Sequence, residues 1–208
     1  MPKHYVFIIL LIGFFNIFSS SKAVDESKTI LCFGNSITAG YGLDPEYAYP
    51  DVLAKILKGK GYNYNVINAG LSGETSAGGL SRIDWVLRNK IDIFILELGA
   101  NDGLRGLQLI QTKNNLESII KKVLNKYPET QIIIAGMMVP PNMGREYSTE
   151  FVYMFNELAT ENNALLIPFL LDGVGGIPEL NLSDGIHPNI EGHKIVAENV
   201  FEALKEVL

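Results

Sequence analysis

Residues 29–40 read TILCFGNSITAG, an apolar run followed by a glycine and a polar segment that ends in a second glycine. The run at 29–33 predicts a β-strand. Because its apolar residues do not alternate with polar ones, the strand is expected to be covered on both faces. The glycine after the run indicates where the strand ends and the chain turns. A buried strand followed by a polar, glycine-containing loop is typical of an α/β fold.

The same pattern recurs along the chain, with further strands predicted at 65–68, 91–98, 131–139 and 165–169. Apolar residues at helical spacing lie between them, from Leu116 to Tyr127 and from Phe151 to Ala159, with Ser148 as the expected N-cap of the second helix. A last helix is predicted over about 190–208. Five strands that alternate with helices predict one α/β domain with a parallel sheet, over residues 24–208.

Composition excludes several classes of protein. Of the 208 residues 47% are apolar and 19% are charged, enough for a sizeable core and unlike a disordered chain. The formal net charge of −6 is unfavourable for binding a phosphate backbone, so no nucleic-acid partner is expected. Cys32 is the single cysteine, which excludes an intramolecular disulfide and a cysteine-rich zinc site.

The N-terminus has the features of a secretory signal. Lys3 and His4 precede an apolar run at 5–18, which as a helix would span about 21 Å and so fall short of the roughly 30 Å hydrocarbon core of a bilayer. Ser21 and Ala23 form a small-x-small cleavage motif. We expect residues 1–23 to be a signal peptide cleaved after Ala23, which places the mature chain in the periplasm or outside the cell. An uncleaved N-terminal anchor is the alternative.

Polar, glycine-containing segments follow four of the predicted strands. They are GNSITAG at 34–40, NAGLSGET at 68–75, GANDG at 99–103 and, after a long loop, DGIHP at 184–188. The carboxyl ends of parallel strands lie at one edge of a sheet, where α/β proteins bind their ligands. We therefore expect these four segments to meet there.

The residue types in these segments match those needed for acyl transfer through serine. Ser36 can act as nucleophile, His187 as its base, and Asp184, three residues before the histidine, as the group that orients the imidazole. The Asn101 amide and the backbone N–H groups of Gly73 and Ser36 can donate to a developing oxyanion. Taken singly, each of these residues could also be an ordinary cap or turn former.

The segments GNSIT, SGET, GAND and DGIHP, in this order, closely resemble the four sequence blocks of the SGNH (GDSL-type) hydrolases. The chain is most similar to the secreted bacterial branch of thioesterases, lysophospholipases and arylesterases. The resemblance implies a flavodoxin-like three-layer α/β/α fold with strand order 2-1-3-4-5. It also implies a triad of Ser36, His187 and Asp184, an oxyanion hole of Ser36, Gly73 and Asn101, and no metal or cofactor. The implied substrates are aryl esters, acyl thioesters or lysophospholipids.

Three residues stand outside this pattern. Asn35 occupies the position of the family's usual aspartate before the nucleophile, and N35D is expected to stay active with an acid limb shifted to higher pH. Glu97 is a charge within an apolar strand and needs a partner, for which Arg82 is the candidate. His193 lies within the last helix as a surface or packing residue.

The substrate and two other classes of function stay open at this point. The expected acyl-binding wall consists of Leu104, Leu107, Leu109 and Pro140. A carbohydrate O-deacetylase on the same fold would prefer acetylated sugars to longer acyl chains. A flavin- or phosphate-binding protein of similar topology would need neither Asp184 nor His187, and a non-catalytic binding protein would show no ester turnover dependent on Ser36.

Overall fold

A computed structural model of the protein describes Met1 and residues 27–208. The predicted apolar run at 5–18 and the cleavage site after Ala23 lie outside the described residues. Within residues 27–208, no helix has the length and apolar character needed to cross a bilayer.

The centre of the fold is a five-stranded sheet in which every neighbouring pair is parallel. The strand order is β2-β1-β3-β4-β5, so the α/β class and the topology implied by the resemblance are confirmed. The strands are β1 (Lys28–Gly34), β2 (Tyr64–Gly70), β3 (Ile93–Glu97), β4 (Gln131–Ala135) and β5 (Leu165–Ile167).

Helices cover both faces of the sheet. They are α1 (Ser36–Ala39), α2 (Tyr49–Gly59), α3 (Ser76–Val86), α4 (Ala100–Leu104), α5 (Leu109–Lys126), α6 (Arg145–Glu161) and α7 (Ile190–Leu204). Helix α2 packs against α7, and α5 packs against both α3 and α6. Cys32 and Phe33 are consecutive in β1, so their side chains point to opposite faces, the first toward Tyr49 of α2 and the second toward Gly79 of α3. Both are completely buried, as a strand covered on both faces requires.

The register of the sheet aligns the ends of three strands. Gly34, the last residue of β1, lies opposite Gly70 of β2 and Glu97 of β3. The loops that follow these strands therefore leave from one edge of the sheet. Gly70 has to be glycine because a Cβ atom there would lie 2.2 Å from the backbone nitrogen of Ala39. The absence of a side chain lets α1 fold back over the end of β2.

Several boundaries and one cap differ from the sequence-based prediction. Strand β3 is shorter than 91–98 at both ends, β5 ends at Ile167 rather than at 169, and α7 ends at Leu204 rather than at 208. Strand β4 ends at Ala135 rather than at 139, although Met137 and Val139 remain buried. An apolar run in the sequence indicates which residues are buried, not which residues pair with a neighbouring strand. Here residues beyond the last hydrogen bond of the sheet are still buried, so the predicted strands are too long. Ser148 is not the N-cap of α6, because that helix begins after Gly144 and the Ser148 hydroxyl donates to the Gly144 carbonyl at 2.8 Å.

Candidate active site

Ser36 lies on the tight turn that joins β1 to α1. It is the first residue of α1, and the side chain of the preceding Asn35 caps this short helix by accepting a hydrogen bond from the Ile37 N–H at 3.0 Å. Ser36 is half-buried, and its Oγ lies 2.9 Å from Nε2 of His187. The two side chains come from opposite ends of the chain and meet within hydrogen-bond distance.

A closed loop before α7 presents His187 together with Asp184. The Leu182 N–H donates to the His187 carbonyl at 2.7 Å and closes the loop. Within it, Asp184 Oδ1 accepts from the backbone N–H groups of Ile186 and His187, while Oδ2 lies 2.7 Å from His187 Nδ1. The His187 and Ile186 N–H bonds, followed by the imidazole, lower the pKa of Asp184 to about 2. Asp184 is therefore ionised at neutral pH and holds a proton on Nδ1 of His187, which leaves Nε2 free to accept one.

Tyr41 packs against the imidazole of His187 and was not anticipated from the sequence. The two ring centroids are 4.5 Å apart and the rings are tilted by 39°. The tyrosine is half exposed, so it covers one face of His187 and borders solvent with its other side. Its position five residues after Ser36 gave no sign of this contact, which depends on the return of the 182–189 loop.

Asn101 and Gly73 lie on neighbouring loops at the same edge of the sheet. Asn101 is in the first turn of α4, and its Nδ2 donates to the Glu74 carbonyl at 2.9 Å. An amide nitrogen carries two protons, so this bond fixes the side chain and leaves the second proton for another acceptor. Arg105 donates to the Gly73 carbonyl at 3.2 Å, and Gly73 has a φ of +79°, a backbone conformation that favours glycine.

The expected pairing of Glu97 with Arg82 is wrong. Arg82 binds Glu74 instead, with Nε donating to Oε1 at 2.6 Å, and so fixes the loop that contains Gly73. Glu97 is completely buried and accepts hydrogen bonds from Asn35 and Thr38 in the turn that carries Ser36. The lone charge in an apolar strand was a valid signal of a special site, but the sequence did not reveal which neighbour would meet it.

His193 is a packing residue, not a surface one. It is completely buried in the first half of α7, and its Nδ1 accepts the backbone N–H of Tyr49 at 3.1 Å. Among the described residues, Nε2 has no hydrogen-bond partner. Burial, with a smaller contribution from the charge of His187, lowers the pKa of His193 to about 4.

The four residues expected to line the acyl group are distributed around this edge. Leu104 and Leu107 are exposed just beyond Asn101, whereas Leu109 begins α5, is half-buried against the core and lines a groove between α5 and α6. Pro140 is exposed and follows Val139, which lines a groove of about 590 Å³ along α6. Leu109 thus lies in the helical layer and is less exposed than Leu104, Leu107 and Pro140.

The arrangement can support acyl transfer. A hydroxyl, an imidazole and an ionised carboxylate form one chain of hydrogen bonds, and an amide and two N–H groups from adjacent loops lie at the same edge. In the part of the chain that the structure describes, no group of three or more His, Cys, Asp or Glu side chains is placed to hold a metal ion.

Comparison with known proteins gives the same family as the geometry suggests. Residues 32–195 match the model of the GDSL-like lipase/acylhydrolase family. The chain is 38% identical to esterase TesA of Pseudomonas aeruginosa over 88% of this chain and 90% of that one. It is 34% identical to an arylesterase of Vibrio mimicus over 95% of this chain and 98% of that one.

The solved structure of TesA superimposes with a TM-score of 0.83 at 38% identity, covering 87% of this chain and all of that one. Sequence and fold thus agree over nearly the whole length of both proteins. The chain belongs to the GDSL-like lipase/acylhydrolase family, and the reaction that it catalyses is ester hydrolysis.

Proposed function

We propose that Ser36, His187 and Asp184 are the catalytic triad of this esterase and that the reaction passes through an acyl-enzyme on Ser36. The observation that carries the proposal is the continuous chain of contacts from Ser36 Oγ through the imidazole to Asp184, with distances of 2.9 and 2.7 Å. Both distances are those of well-formed hydrogen bonds.

In the acylation step, Ser36 Oγ attacks the carbonyl carbon of the ester while its proton passes to Nε2 of His187. The tetrahedral intermediate then collapses, the bond from carbon to the leaving oxygen or sulfur breaks, and the leaving group takes that proton from His187. In deacylation a water molecule takes the place of the hydroxyl. It gives one proton to His187, which returns it to Ser36 as the acid departs. Asp184 remains ionised throughout and stabilises the imidazolium.

The negative charge on the substrate oxygen is to be stabilised by three donors, the N–H groups of Ser36 and Gly73 and the second amide proton of Asn101. Their anchoring supports this role. The loop around Gly73 is fixed by Arg105 and by the bond from Asn101 to the Glu74 carbonyl, so the donors need no rearrangement as charge develops. Preorganised donors of this kind are usually the largest electrostatic contribution to acyl transfer.

The test compares Ser36→Ala with Ser81→Ala on p-nitrophenyl butyrate. Ser81 is a matched control, because it is exposed and its hydroxyl only bonds the Gly78 carbonyl of its own helix. Ser36→Ala is expected to lower kcat by about 10⁴–10⁶-fold, whereas Ser81→Ala retains full activity. A fluorophosphonate is expected to label the wild type at Ser36 alone. Substantial turnover by Ser36→Ala would refute the assignment of the nucleophile.

We further propose carboxylic esters, acyl thioesters and lysophospholipids as the substrate class. Leu104 and Leu107, exposed beside Asn101, offer an apolar and open surface for an acyl chain. The experiment is a series of p-nitrophenyl esters from acetate to palmitate, with an acyl-CoA, a lysophospholipid and an acetylated sugar in parallel. A strong preference for the acetylated sugar would favour the deacetylase instead.

Secretion is proposed from residues 1–23, whose charge, apolar run and cleavage motif are those of a signal peptide. The full-length chain expressed in a Gram-negative host is expected to yield a mature protein that begins at Val24 in the periplasmic or extracellular fraction. Intact-mass measurement decides this, since a retained leader would leave the full mass and a membrane-bound protein.

A further inference from the structure

Glu97 is the one charged side chain of β3, and hydrogen-bond donors surround it. Both of its oxygens are buried. Asn35 Nδ2 donates to Oε1 at 2.6 Å, and Oε2 accepts from the backbone N–H groups of Asn35 and Thr38, at 3.0 and 3.3 Å, and lies 2.8 Å from the Thr38 hydroxyl. Burial raises the pKa of Glu97 to about 7, and the four donors on its two oxygens oppose that rise by stabilising the carboxylate. No lysine or arginine is among these partners.

The carboxylate determines which way the Asn35 amide faces. A carboxylate only accepts hydrogen bonds, so the NH₂ end of Asn35 must point to Glu97. The oxygen end is then directed into α1, where Oδ1 accepts the Ile37 N–H at 3.0 Å and lies 3.3 Å from Ser36 Oγ, whose one proton is directed to His187 Nε2. Asn35 is itself buried, so neither end of the amide can exchange its partner for bulk water.

A reversed amide would disrupt the turn that carries the nucleophile. The NH₂ group would then face the Ile37 N–H at the 3.0 Å that now separates a donor from an acceptor. Two N–H donors repel each other at that distance, and the Ile37 N–H would lose its acceptor. The first turn of α1 would have to move, and Ser36 with it. Ser36 has a short side chain with one torsion, so a shift of this turn moves its Oγ from its place 2.9 Å from His187 Nε2.

We propose that Glu97 is a positioning residue for ester hydrolysis, acting through the Asn35 amide to hold Ser36 Oγ against His187. The inference rests on the proposed role of Ser36 as nucleophile. It differs from a general structural role because it specifies which atom must face which. One of positions 35 and 97 must donate a hydrogen bond to the other, and position 35 must present an oxygen to α1.

This requirement predicts that the amide and the carboxylate can be exchanged. In E97Q the side-chain oxygen is claimed by the three donors now on Oε2, so the new NH₂ faces the Asn35 NH₂ and forces that amide to reverse. In N35D/E97Q the same NH₂ donates to a carboxylate at position 35, whose other oxygen accepts from the Ile37 N–H. The double variant therefore restores the hydrogen bonds of the wild type, with the negative charge at position 35 instead of position 97.

The experiment measures kcat and KM on p-nitrophenyl butyrate at pH 8 for the wild type, E97Q, N35D/E97Q and Y49F. Burial raises the pKa of Glu97 to about 7, so the carboxylate predominates at this pH. Y49F is the control, because it deletes a buried hydroxyl that touches Thr38 Oγ1 at 3.2 Å without contacting Asn35. Urea unfolding of each variant reports the change in stability separately.

E97Q is expected to lose about 10²-fold in kcat with KM within about threefold of the wild type, since a nucleophile displaced by about 1 Å costs that much. N35D/E97Q is expected to recover to within about tenfold of the wild type, and Y49F to keep its kcat while losing stability. The proposal is overturned if E97Q keeps its kcat within threefold, or if folded N35D/E97Q is as slow as E97Q. Should E97Q fail to fold, a folded but inactive double variant overturns it equally. Failure of the proposed function would look different, because the wild type would then be no faster than Ser36→Ala.

Discussion

The buried His193 makes the stability of this protein fall with acidity in a defined window. The pKa of His193 is about 4 in the folded protein, against 6.5 for a solvated histidine. Between these values the unfolded state binds one proton more than the folded state. The free energy of unfolding therefore rises with pH across the window and is lost as the pH falls from 6.5 toward 4.

The magnitude follows from that difference in pKa. At about 1.4 kcal/mol for each pH unit, the full loss is about 3 kcal/mol, of which about 2 kcal/mol falls between pH 7 and pH 5. For a domain of this size such a loss lowers the melting temperature by roughly 4–8 °C. His193→Asn abolishes this contribution while keeping an oxygen near the position of Nδ1 to accept the Tyr49 N–H.

The assay is urea unfolding at pH 7 and pH 5, followed by far-UV circular dichroism. The wild type is expected to lose about 2 kcal/mol more than His193→Asn over this interval. Glu97, whose raised pKa gives a slope of the opposite sign, is common to both proteins and cancels in the comparison. His187→Gln is the control and should keep most of the wild-type slope, because burial is the larger cause at His193. Equal losses in the wild type and His193→Asn would refute the reasoning.

Two further outcomes are expected from single substitutions. Asn101→Ala should lower kcat by about 10²–10³-fold with little change in KM, because the proposed role of its amide is to donate to charge that develops in the transition state. An effect confined to KM would assign Asn101 to substrate binding. Gly70→Ala should lower the free energy of unfolding by about 3 kcal/mol in urea, since the added Cβ would lie 2.2 Å from the Ala39 nitrogen. Gly59→Ala in α2 is the control, because its added Cβ would meet no neighbouring atom within 4 Å, and its stability should be unchanged or slightly higher. Similar losses at the two glycines would show that the close approach is not what position 70 requires.

The fold could be predicted from the sequence because its two signals are local. Short apolar segments identified all five strands, and the spacing of apolar residues identified α5, α6 and α7, whereas α1 to α4 were not predicted. The ends of β3 and β4 could not be placed, because Leu98 and Met137 stay buried after the ladder has ended. Ser148 was a plausible cap by residue type, but a helix starts where the backbone turns, which here is at Gly144.

The sequence predicted that the segments with Ser36 and His187 would meet, but it predicted individual side-chain contacts best within one short segment. Asp184 and His187 share a loop, so their contact followed from a spacing of three residues. The partners of Glu97 could not be deduced, because they depend on the register that sets Gly34 opposite Glu97. The contact of Tyr41 with His187 escaped for the same reason, as it joins two loops distant in sequence.

The closed loop that presents Asp184 and His187 has a consequence for how activity arises during folding. The acid–base pair spans three residues and can form as soon as that loop closes, whereas the contact from Ser36 to His187 spans 151 residues and closes a ring of most of the chain. Closing so long a loop costs more conformational entropy than closing a short one, so this contact is expected to form after the local structure. Regain of esterase activity on refolding therefore reports the docking of the C-terminal segment onto the sheet, while circular dichroism reports the earlier formation of helices.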